Sequence, residues 1–213
     1  MKVDSQSPRF AVLVCLSIAI LVGCSNRPRA VHLPSVDAGD VASFAMEHYD
    51  ADHNGAIDAR ELASCPPLAT ALPSYDADNN GQLSFQEIKD HIARLYAPSA
   101  GLASVDCTVA VSGRPLQGAT VKFRPVEMLG PSVKPAQGVT NASGVAHMAL
   151  ADEELPHDVR GVRLAHPGLY HVEITHPTVT LPARYNTATE LGFEVDPAQD
   201  RTGTSARFDL KPK

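Results

Sequence analysis

The sequence predicts a multi-domain chain: a small all-α module, then an all-β sandwich, with an export signal ahead of both. Three observations carry that expectation. Residues 10–22 form an apolar run behind Lys2 and Arg9, residues 50–87 repeat one acidic pattern twice, and residues 105–210 alternate apolar and polar side chains in short runs separated by turns. The expected boundaries are a signal over 1–23, a tether over 24–40, a helical pair over 41–97 and a sandwich over 103–213.

The apolar run from Phe10 to Val22 is thirteen residues long. That is too short to span a bilayer as a helix and fits the core of a secretory signal. It ends in Leu21-Val22-Gly23-Cys24, followed at once by the polar Ser25, Asn26 and Arg27. This ending resembles the lipoprotein box of exported bacterial proteins. The resemblance implies lipid attachment at Cys24, a cell-envelope location anchored to a membrane, and, through Ser25, the outer membrane. Pro28, Pro34 and Gly39 then suit an extended spacer. A helix is expected to start near Asp40 as its N-cap, with Val41, Ala45, Met46 and Tyr49 on one face.

The repeat is the chemically informative stretch. Its first copy runs from Asp50 to Glu61 and its second from Asp76 to Glu87, and both satisfy D-x-[DN]-x-[DN]-G-x₅-E. A hard cation such as Ca²⁺ takes six to eight oxygens, and a tight loop can aim positions one, three and five at a common centre. Those positions are Asp50, Asp52 and Asn54, then Asp76, Asp78 and Asn80. Position seven offers a backbone carbonyl, at Ala56 and Gln82, and position nine often acts through water, at Asp58 and Ser84. Position twelve must reach back with both carboxylate oxygens, a task for Glu61 and Glu87. Gly55 and Gly81 supply the sharp bend. Ile57 and Leu83, at position eight, are placed to pair as a short strand and plug the module. The pattern resembles a paired EF-hand module, which implies two bound calcium ions. A dockerin-like module, also built on paired calcium loops, is the runner-up. Pro66, Pro67 and Pro73 between the loops predict short middle helices. Phe85, Ile88, Ile92 and Leu95 predict an amphipathic helix after the second loop.

Charge follows the same division. Of the net −6, residues 40–97 carry ten acidic against three basic side chains, and residues 98–213 carry twelve against eleven. The acidity therefore sits on the repeat, where cations would offset it. No basic stripe is present, so no nucleic-acid partner is expected.

From residue 103 onward the two-residue period marks strands at Val105–Val111, at Val121 and Phe123, at Val145–Leu150, at Tyr170–Ile174, at Phe193 and Val195, and at Phe208 and Leu210. Such a series fits an Ig-like sandwich. The runs Gly113-Arg-Pro-Leu-Gln-Gly-Ala-Thr-Val-Lys-Phe123, Gly138-Val-Thr-Asn-Ala-Ser-Gly144 and Pro167-Gly-Leu-Tyr-His-Val172 resemble the carboxypeptidase regulatory-like, transthyretin-type sandwich. The run from Leu181 to Val195, closing with Phe208-Asp-Leu-Lys211, is similar to small planctomycete lipoproteins. These are turn and core residues, so the resemblance speaks to fold more than to activity.

Cys65 and Cys107 fit either a bridge between the two parts or two separate buried thiols. His166, His171 and His176 recur every five residues, a spacing that sends strand side chains to opposite faces, so solvent-facing or loop positions are expected. No G-x-S-x-G, H-E-x-x-H or P-loop pattern occurs, and no enzymatic activity is expected. The sequence therefore points to a calcium-binding, membrane-anchored lipoprotein with a structural or interaction role. A calcium-regulated switch, or a protein- or glycan-binding accessory subunit of an exported enzyme, is the alternative.

Overall fold

The computed structural model describes residues 33–97, 101–155, 157–198 and 204–211. The expected signal over 1–23, the lipid site at Cys24 and the first part of the tether lie outside these residues. Among the described residues no helix is long and apolar enough to cross a membrane.

The first helix, α1 (Ala38–Tyr49), starts earlier than the sequence suggested. Its N-cap is Asp37, whose carboxylate accepts from the Gly39 and Asp40 N–H groups at 2.8 and 2.9 Å, and Asp40 falls in the first turn. An acidic residue suits both positions, because the helix dipole favours negative charge there, and the two are indistinguishable by composition. Strand β1 (Ala56–Ile57) follows, then a three-residue 3₁₀ turn at Leu62–Ser64 and helix α2 (Pro66–Tyr75). The first middle helix has thus shrunk to one turn, as the prolines predict. The second is a full ten residues and runs through Pro73. Pro66 and Pro67 sit where helical N–H groups have no partner in any case, and Pro73 falls in the last turn, where its missing N–H costs a single bond.

Strand β2 (Leu83–Ser84) leads directly into α3 (Phe85–Leu95). Ile57 pairs with Leu83 and Ala56 with Ser84, antiparallel, and both apolar side chains are fully buried. Ile88, Ile92 and Leu95 form the buried stripe of α3, while Phe85 stays partly exposed.

The rest is strand-rich. It comprises β3 (Val105–Val111), β4 (Arg114–Pro115), β5 (Thr120–Pro125), β6 (Ala136–Val139), β7 (Val145–His147), β8 (Ala149–Leu150), β9 (Gly168–Thr175), β10 (Gly192–Val195) and β11 (Thr204–Leu210). One sheet has the order β10-β9-β5-β6-β8 and is antiparallel throughout. In the other, β3 is flanked by β11 on one side, and β4 and β7 take successive stretches of its length on the other. Alternation places Val105, Cys107 and Val109 of β3, Val121 and Phe123 of β5, and Val172 and Ile174 of β9 in the core.

The fold is therefore mixed α/β, and the expected succession of an all-α EF-hand pair and an all-β Ig-like or transthyretin-type sandwich is not what forms. Three findings overturn it. Among the described residues three α-helices stand beside eleven strands in three sheets. The strand-rich stretch pairs β11 with β3 in parallel, whereas an Ig-like sandwich is antiparallel. Buried residues from Val41 to Leu210 form a single hydrophobic cluster. The physical cause lies in α2. It buries Pro67, Leu68, Ala71 and Tyr75, and it packs mainly on β10 and β9 rather than on the neighbouring helices.

Candidate metal loops

The two acidic repeats fold alike. Asp50 follows the last residue of α1 and is buried, and Asp76 follows α2. The Asp50 carboxylate accepts from the Asn54 and Gly55 N–H groups at 3.1 and 3.0 Å, and the Asp76 carboxylate accepts from Asn80 and Gly81 at 3.0 and 2.8 Å. Asp52 and Asp78 each accept from the residue two ahead, at 3.1 Å in both loops. Asn54 Oδ1 accepts from the Ala56 N–H at 2.9 Å, and Asn80 Oδ1 from Gln82 at 2.7 Å. Gly55 and Gly81 adopt φ of +91° and +81°, a region costly for residues with a Cβ.

The long twelfth side chains close the loops as their length requires. Glu61 Oε1 accepts from the Ala51 N–H at 2.8 Å and its Oε2 from Asp58 at 2.8 Å. Glu87 Oε1 accepts from Ala77 at 3.0 Å, and its Oε2 from the Ser84 N–H and hydroxyl at 2.9 and 2.7 Å. The result is two clusters, Asp50, Asp52 and Glu61, then Asp76, Asp78 and Glu87, each offering carboxylate oxygens within 4.8 Å of one another. Asp58 turns elsewhere: its carboxylate accepts from the Arg60 and Glu61 N–H groups at 2.7 and 3.1 Å, in the turn ahead of Leu62–Ser64. Ala56 and Ser84 are joined across the β1-β2 pair, and Gln82 lies just ahead of β2.

The donor set is all oxygen, which suits a hard cation over a thiophilic one. Ionised carboxylates this close repel one another, a repulsion that a cation between them would relieve. Around Glu87, burial pushes the carboxyl pKa up, but the Ser84 N–H and hydroxyl and the Asp78 and Ala77 N–H groups outweigh it, holding it below its ordinary value.

Ser84 has two tasks. It is the ninth residue of its loop and the N-cap of α3, in a capping box completed by Glu87. Ser84→Ala removes that cap and should cost about 1 kcal/mol of stability without calcium. Urea unfolding in chelator checks this, and an unchanged midpoint would refute the cap.

A third cluster was not legible in the sequence. His91, Glu194 and Asp196 bring ligand atoms within 4.8 Å. His91 Nε2 lies 2.6 Å from Glu194 Oε1, and its Nδ1 lies 2.9 Å from the Ser74 carbonyl and 2.7 Å from Arg94 Nη2. Arg94 Nη1 also donates to Asp196 at 3.4 Å. The His91 ring stacks on Tyr75, with centroids 3.6 Å apart. Arg94 pairs with the buried Asp196 and His91 with Glu194, so this cluster joins α3 to β10 and the residue just after it as a polar network. The only local signal was a histidine on the buried stripe of α3; the carboxylates of the cluster, Glu194 and Asp196, lie about a hundred positions away.

The remaining candidates do not converge. Cys65 and Cys107 are free and buried. Burial pushes both thiols up, Cys107 to about 12, so neither is a thiolate near neutral pH. Of the three spaced histidines, His176 lies in the loop after β9 and is half-buried. His171 is half-buried on β9. His166 is in a loop but buried, and its Nδ1 accepts from the Lys134 N–H at 3.1 Å. Burial lowers the His166 pKa, which keeps it a neutral acceptor. A cavity of about 340 Å³ over β6 and β8 has Lys122 as its one titratable lining residue. No family model, curated protein or solved structure matches this chain.

Proposed function

We propose that the chain is a calcium-binding protein of the cell envelope, held to a membrane by lipid at Cys24, with a structural or interaction role toward a protein or glycan. The ion sites are those of a paired EF-hand, one in each acidic loop. The observation that carries this reading is the duplication of one hydrogen-bond pattern, from Asp50 through Glu61 and again from Asp76 through Glu87. A turn that is merely acidic has no reason to recur with the same glycine conformation and the same reaching glutamate. Asp50, Asp52, Asn54 and Glu61, and Asp76, Asp78, Asn80 and Glu87, supply side-chain oxygens, while Ala56 and Gln82 supply carbonyls. Affinity outside the cytoplasm is expected in the range of roughly 10⁻⁴–10⁻³ M.

Isothermal titration of the full chain should return two calcium ions per chain, with magnesium a weak competitor. A stoichiometry of zero, or one unaffected by Glu61→Gln and Glu87→Gln, overturns the reading.

A further inference from the structure

We infer that the strand-rich region sets how tightly the second loop holds its ion, through α3 acting as a strut fixed at its far end. The inference rests on the calcium reading above and goes beyond it, because it makes the two loops unequal. The near end of α3 belongs to the loop: Ser84 is its N-cap, and Glu87, the twelfth ligand position, is in its first turn. One turn later, on the same helix face, His91 meets Glu194 of β10 at 2.6 Å. Arg94 then reaches Asp196, and Tyr96, the C-cap, donates its hydroxyl to the Pro167 carbonyl at 2.7 Å. Between these grips, Ile88, Ile92 and Leu95 are buried.

The first loop has no such strut. Glu61 precedes only the 3₁₀ turn Leu62–Ser64, which breaks at Cys65 before the prolines that open α2. Ordering a ligand before the ion arrives lowers the cost of binding it. The grip on α3 therefore pre-places Glu87 and leaves Glu61 to be ordered by its own loop. Linkage makes the effect reciprocal, so an ion in the second loop tightens the attachment of α3 to β10.

The test is a calcium titration of the full chain, following the Gly55 and Gly81 amide resonances separately in wild type, Glu194→Gln and Tyr96→Phe. Glu194→Gln should weaken the site reported by Gly81 by about fivefold or more, the low end of typical couplings, and the Gly55 site by less than about twofold. Tyr96→Phe removes one hydroxyl and keeps the test alive if Glu194→Gln does not fold. Arg124→Gln, which breaks the exposed pair with Glu173 in the same sheet, should change neither site. Unchanged affinity at Gly81 in the folded variants, or equal losses at both glycines, overturns the inference. If the wild-type resonances do not respond to calcium, the calcium reading itself falls, and the inference with it.

Discussion

Replacing Asp50 and Asp76 together by alanine should abolish the rise in melting temperature that calcium gives the wild-type chain. Each ion that binds only the folded state adds about 1.4 kcal/mol for every tenfold excess over its dissociation constant. With ten millimolar calcium and sites near millimolar, two loops contribute roughly 3 kcal/mol. For a chain of this size that corresponds to about 6–12 °C. Position one is the decisive place to cut, because it opens each loop and accepts the two N–H groups that shape the bend, from Asn54 and Gly55 and from Asn80 and Gly81. The variant will also be less stable in chelator, since those donors lose their acceptor. The diagnostic quantity is therefore the difference between calcium and chelator for each protein, measured by calorimetry. A wild type that melts at the same temperature in both, or a double variant that keeps the rise, would remove the basis for the ion sites.

Gly192→Ala should strongly destabilise the chain by forcing α2 away from β10. A Cβ at this position would lie 2.7 Å from the Pro66 carbonyl carbon and 2.5 Å from the Pro67 nitrogen, and closer still to the Pro67 Cα. These are backbone atoms at the start of α2, so no rotamer change relieves the clash; the helix must move off β10. Overpacking of this kind costs about 3 kcal/mol, or some 6–12 °C for this length. Gly101→Ala is the matched control, since nothing lies within 4 Å of its added methyl and its φ is ordinary. It should stay within about 0.5 kcal/mol of wild type. Equal melting of the two variants would mean that α2 does not rest on β10 as described.

What the sequence disclosed was whatever short-range chemistry governs. The loop pattern located both glycines at positive φ and the Ile57–Leu83 pairing, because a twelve-residue loop leaves its eighth residues little choice of neighbour. Period-two alternation located β3, β5 and β9, and Ile88, Ile92 and Leu95 located α3. The misses were long-range or degenerate. Asp37 and Asp40 compete for one cap, and only backbone geometry decides between them. Pro73 reads as a helix breaker unless one knows that it stands in the last turn. The packing of α2 on β10, the parallel alignment of β11 and the contact of His91 with Glu194 depend on residues far apart in the chain, and alternation carries no information about partners. The all-α and all-β expectation failed on those pairings. The export signal and Cys24 rest on residues that the structure does not describe.

The parallel ladder of β11 on β3 has a kinetic consequence. Thr204 pairs with Val105, so closing it spans a loop of about a hundred residues, an entropic cost met before any of its seven residue pairs forms. Pairings of such separation form slowly. Until this one is made, one side of β3 presents unsatisfied amides and carbonyls beside an apolar row, a template for another unfinished copy. Anything that holds newly made chains apart during that interval would decide how much of the protein reaches its folded form.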